Sequence, residues 1–122
     1  MAILGIDLGG TKLASAVFSE DGAVLSKETV HLGRREGHEV GILITALICR
    51  LLKSYEKQDN KILSIGISVP GISNSKSATV WAPNIPGWTD YPLFKEVTSI
   101  TGGLPVSIDN DRACYILGEL WQ

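Results

Sequence analysis

Apolar residues at three- and four-residue spacing occupy the middle of the chain, and they constrain its fold more than any other feature. This spacing predicts one long helix, because it places the side chains on a single helical face. The residues are Val40, Leu43, Ile44, Leu47, Ile48, Leu51, Leu52 and Tyr55. A helix with one apolar face must pack against another element, so the flanking segments have to supply a sheet or further helices.

Three β-rich stretches precede this helix. Residues 3–8 form a short apolar run that ends at Gly9-Gly10, residues 12–19 follow, and residues 23–32 are rich in Val, Leu and Thr. Asp21-Gly22 between the last two is a hairpin signal. The chain is therefore predicted to open as an antiparallel meander of three strands.

The second half alternates strand and helix patterns. Residues 63–69 alternate bulky with small residues, which predicts a strand with one bulky face and one small face against which a helix can pack closely. Residues 72–92 are predicted to be a long irregular segment, and such loops usually bind a ligand. A short helix over residues 93–100, a strand over residues 106–108 and a terminal helix follow. The apolar face predicted for the terminal helix consists of Ala113, Ile116, Leu117, Leu120 and Trp121.

The predicted order is βββαβαβα, which is the order of a ribonuclease H-like α/β domain with a mixed sheet and helices on its faces. We expect residues 1–122 to form one domain. The net charge of −2, with basic residues scattered along the chain, argues against a nucleic-acid partner. No apolar run reaches the ~20 residues of a membrane helix, so no membrane partner is expected and the expected location is the cytoplasm. Cys49 and Cys114 are expected to be buried, reduced thiols.

Residues 7–12, with the sequence Asp-Leu-Gly-Gly-Thr-Lys, are the first candidate functional segment. Two adjacent glycines let backbone N–H groups approach an anion, and Thr11 and Lys12 add donors, so the segment is predicted to bind phosphate. Asp7 before such a loop suggests a Mg²⁺ partner, directly or through water. A plain Gly-Gly hairpin is the competing interpretation.

Two further segments carry polar groups at strand ends or in loops. Asn110 and Asp111 follow the last strand, where ligands of α/β sheets collect, which makes Asp111 a candidate base; helix capping explains the same residue types. Residues 82–88, with the sequence Ala-Pro-Asn-Ile-Pro-Gly-Trp, hold the Asn84 amide in a proline-rigid loop suited to sugar hydroxyls. A surface turn with Trp88 packed beneath it is the alternative.

Taken together, residues 5–12, 68–71, 82–88 and 109–119 resemble the successive N-domain motifs of the ROK family of sugar kinases and related repressors, within the actin-like ATPase clan. The resemblance implies that Asp111 is the general base for a hexose hydroxyl. It implies that Asn110, Gly71 and Asn84 bind the sugar. It also implies that Asp7 faces Mg²⁺ and that Gly9, Gly10, Thr11 and Lys12 approach the phosphate of ATP.

The chain departs from the family in several respects. Arg112 and Ala113 stand where the family has a small residue and Asn, and Ala78 stands where it often has Gly. The family's zinc site and adenosine pocket are expected in a C-terminal ATP-binding domain absent from these 122 residues, so the chain alone is expected to be inactive.

We therefore expect the N-terminal half of an ATP-dependent kinase for a hexose or N-acyl hexosamine. Two alternatives remain: a non-catalytic sugar-binding module and a sugar-sensing repressor. The repressors carry a DNA-binding domain ahead of the first strand, and none is expected here because the first strand is predicted to begin at Ile3. The sequence does not decide whether the protein forms a homodimer.

Overall fold

The computed structural model describes residues 1–57, 60–74 and 76–110, the last without its side chain. The described residues contain seven strands and two helices. In chain order they are β1 (Ala2–Leu8), β2 (Lys12–Ser19), β3 (Val24–His31), α1 (His38–Tyr55), β4 (Ile62–Val69), β5 (Ile72–Asn74), β6 (Thr79–Trp81), α2 (Leu93–Ile100) and β7 (Val106–Asn110). The predicted terminal helix and Cys114 lie outside the described residues.

Five strands form one mixed sheet in the order β3-β2-β1-β4-β7. The pairs β1–β2 and β2–β3 are antiparallel, whereas β1–β4 and β4–β7 are parallel. The antiparallel pairs follow from the short turns that join their strands, and the parallel pairs from the helical crossovers. The mixed α/β sheet of the ribonuclease H-like class is thus confirmed.

Both described helices pack on the bulky face of this sheet. The buried apolar residues of α1 lie on one stripe, as the periodicity predicts, and they join the same core cluster as Leu4, Ile6, Ile65 and Ile67 of the central strands. Leu93 and Val97 of α2 belong to that cluster as well. The core therefore lies between the sheet and the two helices.

The opposite face of the sheet carries small and polar residues. Pairing places Gly5 of β1 beside Gly66 of β4, and Asp7 beside Ser68, which is itself paired with Asp109 of β7. The two described helices lie on the other face, so the close packing of a helix on this small-residue face stays a prediction.

Three expectations about local structure are wrong. The segment over residues 72–92 is not irregular throughout: β5 and β6 form a hairpin, with Val80 bridged to Tyr91. Leu63, the first bulky residue of the predicted strand, is exposed and does not face the core. A register shift between β1 and β4 places the side chain of the preceding residue, Ile62, in the core instead. Cys49 is exposed, since it lies off the buried stripe of α1.

No helix among the described residues is long and apolar enough to span a membrane.

Candidate functional site

The carboxyl ends of the parallel strands β1, β4 and β7 meet at one edge of the sheet. The antiparallel neighbour β2 begins at the same edge, and β3 ends there, since Lys12 pairs with His31. Three of the predicted segments start here: residues 9–12 after β1, residues 70–71 after β4, and Asn110 at the end of β7. Loops at this edge of an α/β sheet are the usual place for a ligand.

The β1–β2 turn, residues 9–12, is a tight hairpin connection. The Gly9 N–H donates to the Lys12 carbonyl oxygen at 2.8 Å, and the Leu32 N–H donates to the Thr11 carbonyl at 2.8 Å. Gly10, Thr11 and Lys12 are exposed. The hairpin interpretation is therefore correct for the backbone, and it leaves the exposed residues of the turn as the part that an anion can reach.

The Asn84 loop, residues 82–88, lies against this turn. A methyl group added to Gly10 would be 3.2 Å from Cβ of Asn84. A side chain at position 10 would therefore have to displace Asn84 by a few tenths of an ångström. The predicted phosphate-binding turn and the predicted sugar-binding loop are thus in contact, although they are some seventy residues apart in the sequence.

Gly71 lies beneath the start of the same loop. A methyl group at this position would be 1.8 Å from the carbonyl oxygen of Trp81 and 2.9 Å from Cα of Ala82. The absence of a side chain lets the end of β4 touch the backbone that leads into the Asn84 loop. Gly71, Asn84 and Gly10 are therefore held in one connected region.

The Asn84 loop is fixed to the beginning of α1 by bonds on both sides of Gly37. The Gly37 N–H donates to the Pro86 carbonyl at 2.7 Å, and Nε1 of Trp88 donates to the Gly37 carbonyl at 2.9 Å. Trp88 is fully buried and stacks on Tyr91 with ring centroids 4.1 Å apart and planes 2° apart. The alternative of a turn with Trp88 beneath it thus describes the packing, and it leaves Asn84 exposed.

Asp7 is half-buried and lies in a row across three parallel strands with Ser68 and Asp109. The Ser68 hydroxyl is buried and has no hydrogen-bond partner among the described residues. Those residues hold no cluster of three or more His, Cys, Asp or Glu side chains suited to a metal. Asp7 with one hydroxyl therefore fits a Mg²⁺ ion that keeps most of its waters and shares the phosphates of a substrate, rather than an ion held by protein ligands alone.

Two predicted site residues cannot be placed. Asp111 lies outside the described residues, and for Asn110 only the backbone is described, paired with Val69 at the end of β7. The roles of both residues stay predictions.

Sequence reasoning missed a polar cluster made by His38, Tyr91 and Glu96. The Nδ1 atom of His38 is 3.1 Å from the Tyr91 hydroxyl and 3.2 Å from Oε2 of Glu96. Burial, together with hydrogen bonding to Glu96 and its charge, raises the pKa of Tyr91 well above its usual value. The three residues are distant in sequence and belong to no motif, so only the fold brings them together.

Comparison with known proteins identifies the family. The model of the ROK family matches residues 3–122, so the chain belongs to the ROK family. It is 32% identical to a glucokinase of Halalkalibacterium halodurans over 124 residues, which is 98% of this chain and 36% of the relative. It is also 32% identical to an N-acetyl-D-glucosamine kinase of Citrobacter koseri over 118 residues, 97% of this chain and 37% of the relative. The chain thus spans little more than a third of these relatives.

Solved structures share the fold. A ROK family glucokinase from Streptomyces griseus in complex with glucose and AMPPNP matches with a TM-score of 0.68 and 35% identity, covering 91% of this chain and 33% of that one. A ROK family transcriptional regulator, a homologue of the E. coli MLC protein, matches with a TM-score of 0.77 and 27% identity, covering 90% and 28%. The predicted family and the fold are both confirmed by these likenesses.

Proposed function

We propose that this chain supplies the sugar-binding surface and the general base of an ATP-dependent sugar kinase. One observation carries the proposal: the β1–β2 turn touches the Asn84 loop at Gly10. A kinase must hold the phosphate and the acceptor hydroxyl side by side, because phosphoryl transfer depends mainly on positioning and charge stabilisation. Contact between a candidate phosphate segment and a candidate sugar segment provides that arrangement.

The sugar would lie on Asn84, Asn110 and the backbone around Gly71. The Asn84 amide both donates and accepts hydrogen bonds, which suits a hydroxyl that does the same. The substrate class is a hexose or an N-acyl hexosamine, because the similar proteins include a glucokinase and an N-acetyl-D-glucosamine kinase. The Asn84 side chain is exposed in the folded chain and therefore accessible to such a ligand.

The phosphate of ATP would lie on the exposed part of the β1–β2 turn. The Gly9 N–H already donates to Lys12, so the donors for phosphate would come from Gly10, Thr11 and the Lys12 ammonium. Mg²⁺, when bound near Asp7, would neutralise charge on the phosphates. Asp111 would take the proton of the acceptor hydroxyl of the sugar. The oxygen of that hydroxyl would then bond to the γ-phosphorus while the bond from this phosphorus to ADP breaks.

The test is sugar-dependent ADP release by the full-length gene product that carries this chain, with glucose, mannose, N-acetylglucosamine and N-acetylmannosamine. Asp111→Asn should lower kcat by roughly two to four orders of magnitude with little change in sugar affinity, since it keeps the shape and loses the base. Asp21→Asn is the control: it also removes one carboxylate, but at an exposed position in the β2–β3 turn at the opposite edge of the sheet, and it should be close to wild type. Equal turnover by wild type and Asp111→Asn would remove Asp111 from the mechanism.

A sugar-sensing regulator is the second candidate, favoured by the likeness to the transcriptional regulator. The same assay separates the two. A protein that binds one of these sugars, as measured by calorimetry, but releases no ADP with any of them would be a sensor and not a kinase.

A further inference from the structure

His38, Tyr91 and Glu96 connect α1, the segment between β6 and α2, and α2 itself, which meet behind the Asn84 loop. His38 is the first residue of α1, Tyr91 lies three residues after the loop, and Glu96 is in the first turn of α2. His38 Nδ1 is within hydrogen-bond distance of both partners, at 3.1 Å from the Tyr91 hydroxyl and 3.2 Å from Glu96 Oε2. When Nδ1 carries a hydrogen it donates to the carboxylate, and when it carries none it accepts from the phenol.

The packing around Tyr91 leaves its hydroxyl no freedom to move toward α1. A methyl group on Gly41 would lie 1.8 Å from that hydroxyl and 2.7 Å from Oε1 of Glu96. The absence of a side chain at Gly41 is what allows the Tyr91 ring and the Glu96 carboxylate to approach the helix. The ring is held on its face as well, since it stacks on the buried Trp88.

The Trp88 indole transmits this position to the loop. Its Nε1 donates to the Gly37 carbonyl, and the Gly37 N–H donates to Pro86 inside the loop. Asn84 therefore stands between two fixed points, Gly10 on one side and the Gly37 anchor on the other. Because the two rings are stacked, we expect a shift of the Tyr91 ring to move Trp88, and with it the segment that presents Asn84.

We propose that His38, Tyr91 and Glu96 form a positioning cluster that fixes the Asn84 loop and thereby sets sugar affinity, without touching the sugar. This proposal rests on the proposed function for its sugar readout. Loss of one neutral hydrogen bond typically changes an equilibrium by roughly two- to tenfold, and the ring shift adds to it. Because the phosphate side of the site is untouched, the effect should fall on the KM for sugar and leave kcat within about twofold.

The experiment compares Tyr91→Phe with Tyr55→Phe in the full-length gene product. Tyr55 is the matched control, since it is also buried and its hydroxyl donates to one side chain, Ser26, at 3.0 Å, but it lies at the far end of α1. Tyr91→Phe should raise the KM for sugar about three- to tenfold, and Tyr55→Phe should leave it unchanged. A KM that is the same in both variants would overturn the proposal.

A second readout is independent of turnover. The indole N–H signal of Trp88, assigned through Trp88→Phe, should shift in ¹H–¹⁵N spectra and exchange faster with solvent in Tyr91→Phe, and not in Tyr55→Phe. Gly41→Ala should move the same signal by pushing the phenol away without removing any polar group. If no sugar is turned over, the proposed function fails while the indole signal still reports on the cluster. An unmoved Trp88 signal in both Tyr91→Phe and Gly41→Ala would refute the positioning role.

Discussion

Replacing Gly71 by Ala tests whether the site is held together by a close approach of two backbones. The added methyl carbon would lie 1.8 Å from the Trp81 carbonyl oxygen, whereas such atoms normally stay about 3.5 Å apart. The chain would have to open by roughly 1.7 Å between Gly71 and β6. Overpacking in a close-packed region costs about 1–3 kcal/mol. We expect the upper end, about 3 kcal/mol, because the obstacle is backbone and not the tip of a flexible side chain.

The assay is thermal unfolding followed by circular dichroism, with Gly33→Ala as the matched control. Gly33 has φ of 62° and nothing within 4 Å of an added methyl group, so its variant carries only the cost of a left-handed conformation. That cost is about 1 kcal/mol. At about 4 °C per kcal/mol for a domain of this size, Gly71→Ala should lower Tm by about 12 °C and Gly33→Ala by about 4 °C. An equal decrease in Tm in the two variants would refute the argument that Gly71 is needed because the backbone of Trp81 lies so close to it.

Three further predictions concern titration and backbone conformation. A hydrogen bond from the Ser19 hydroxyl is the main reason why the pKa of Asp21 lies below 3.8. The stability that this interaction contributes is present above pH 3.8 and is lost as the pH falls further. Ser19→Ala should return the pKa of Asp21 toward 3.8 in an NMR titration. Burial raises the pKa of Tyr91 above 10.0, so its contribution to stability is present below pH 10 and is lost only at more alkaline pH. Tyr91→Phe should therefore remove only absorbance change that occurs above pH 10 when tyrosinate formation is followed. Ala78 has φ of 57°, so Ala78→Gly should stabilise the protein by about 0.5–1 kcal/mol in urea unfolding.

Much of the fold could be predicted from the sequence because its elements are long and strongly patterned. The stripe of α1 and the alternation in the strands specify which side faces the core, and the order of elements then restricts the topology. Asp21-Gly22 predicted the β2–β3 hairpin, and Gly22 indeed has φ of 89° in that turn.

The failures of prediction concern short elements and tertiary contacts. The strands β5 and β6 have three residues each, which is too few for a period to show. The exposure of Leu63 follows from a register shift that depends on the partner strand. The exposure of Cys49 follows from which part of a broadly apolar helix meets the sheet.

The candidate site likewise has a part that the sequence predicted and a part that only the structure shows. Motifs identified Gly10, Gly71 and Asn84 as site residues, and the structure shows that they are brought together. The cluster of Tyr91, His38 and Glu96 could not be found, because contacts between two helices and the segment that precedes the second one leave no regular spacing in the sequence.

The central claim is that sugar and phosphate meet where Gly10 touches Asn84, and a crystal structure of the full-length gene product with a hexose and a non-hydrolysable ATP analogue tests it most directly. The account predicts the acceptor hydroxyl within about 3–3.5 Å of the γ-phosphorus. The sugar should be hydrogen-bonded to Asn84, and the phosphate should lie against the β1–β2 turn. A sugar bound away from Asn84, or a γ-phosphate bound away from Gly10, Thr11 and Lys12, would contradict it.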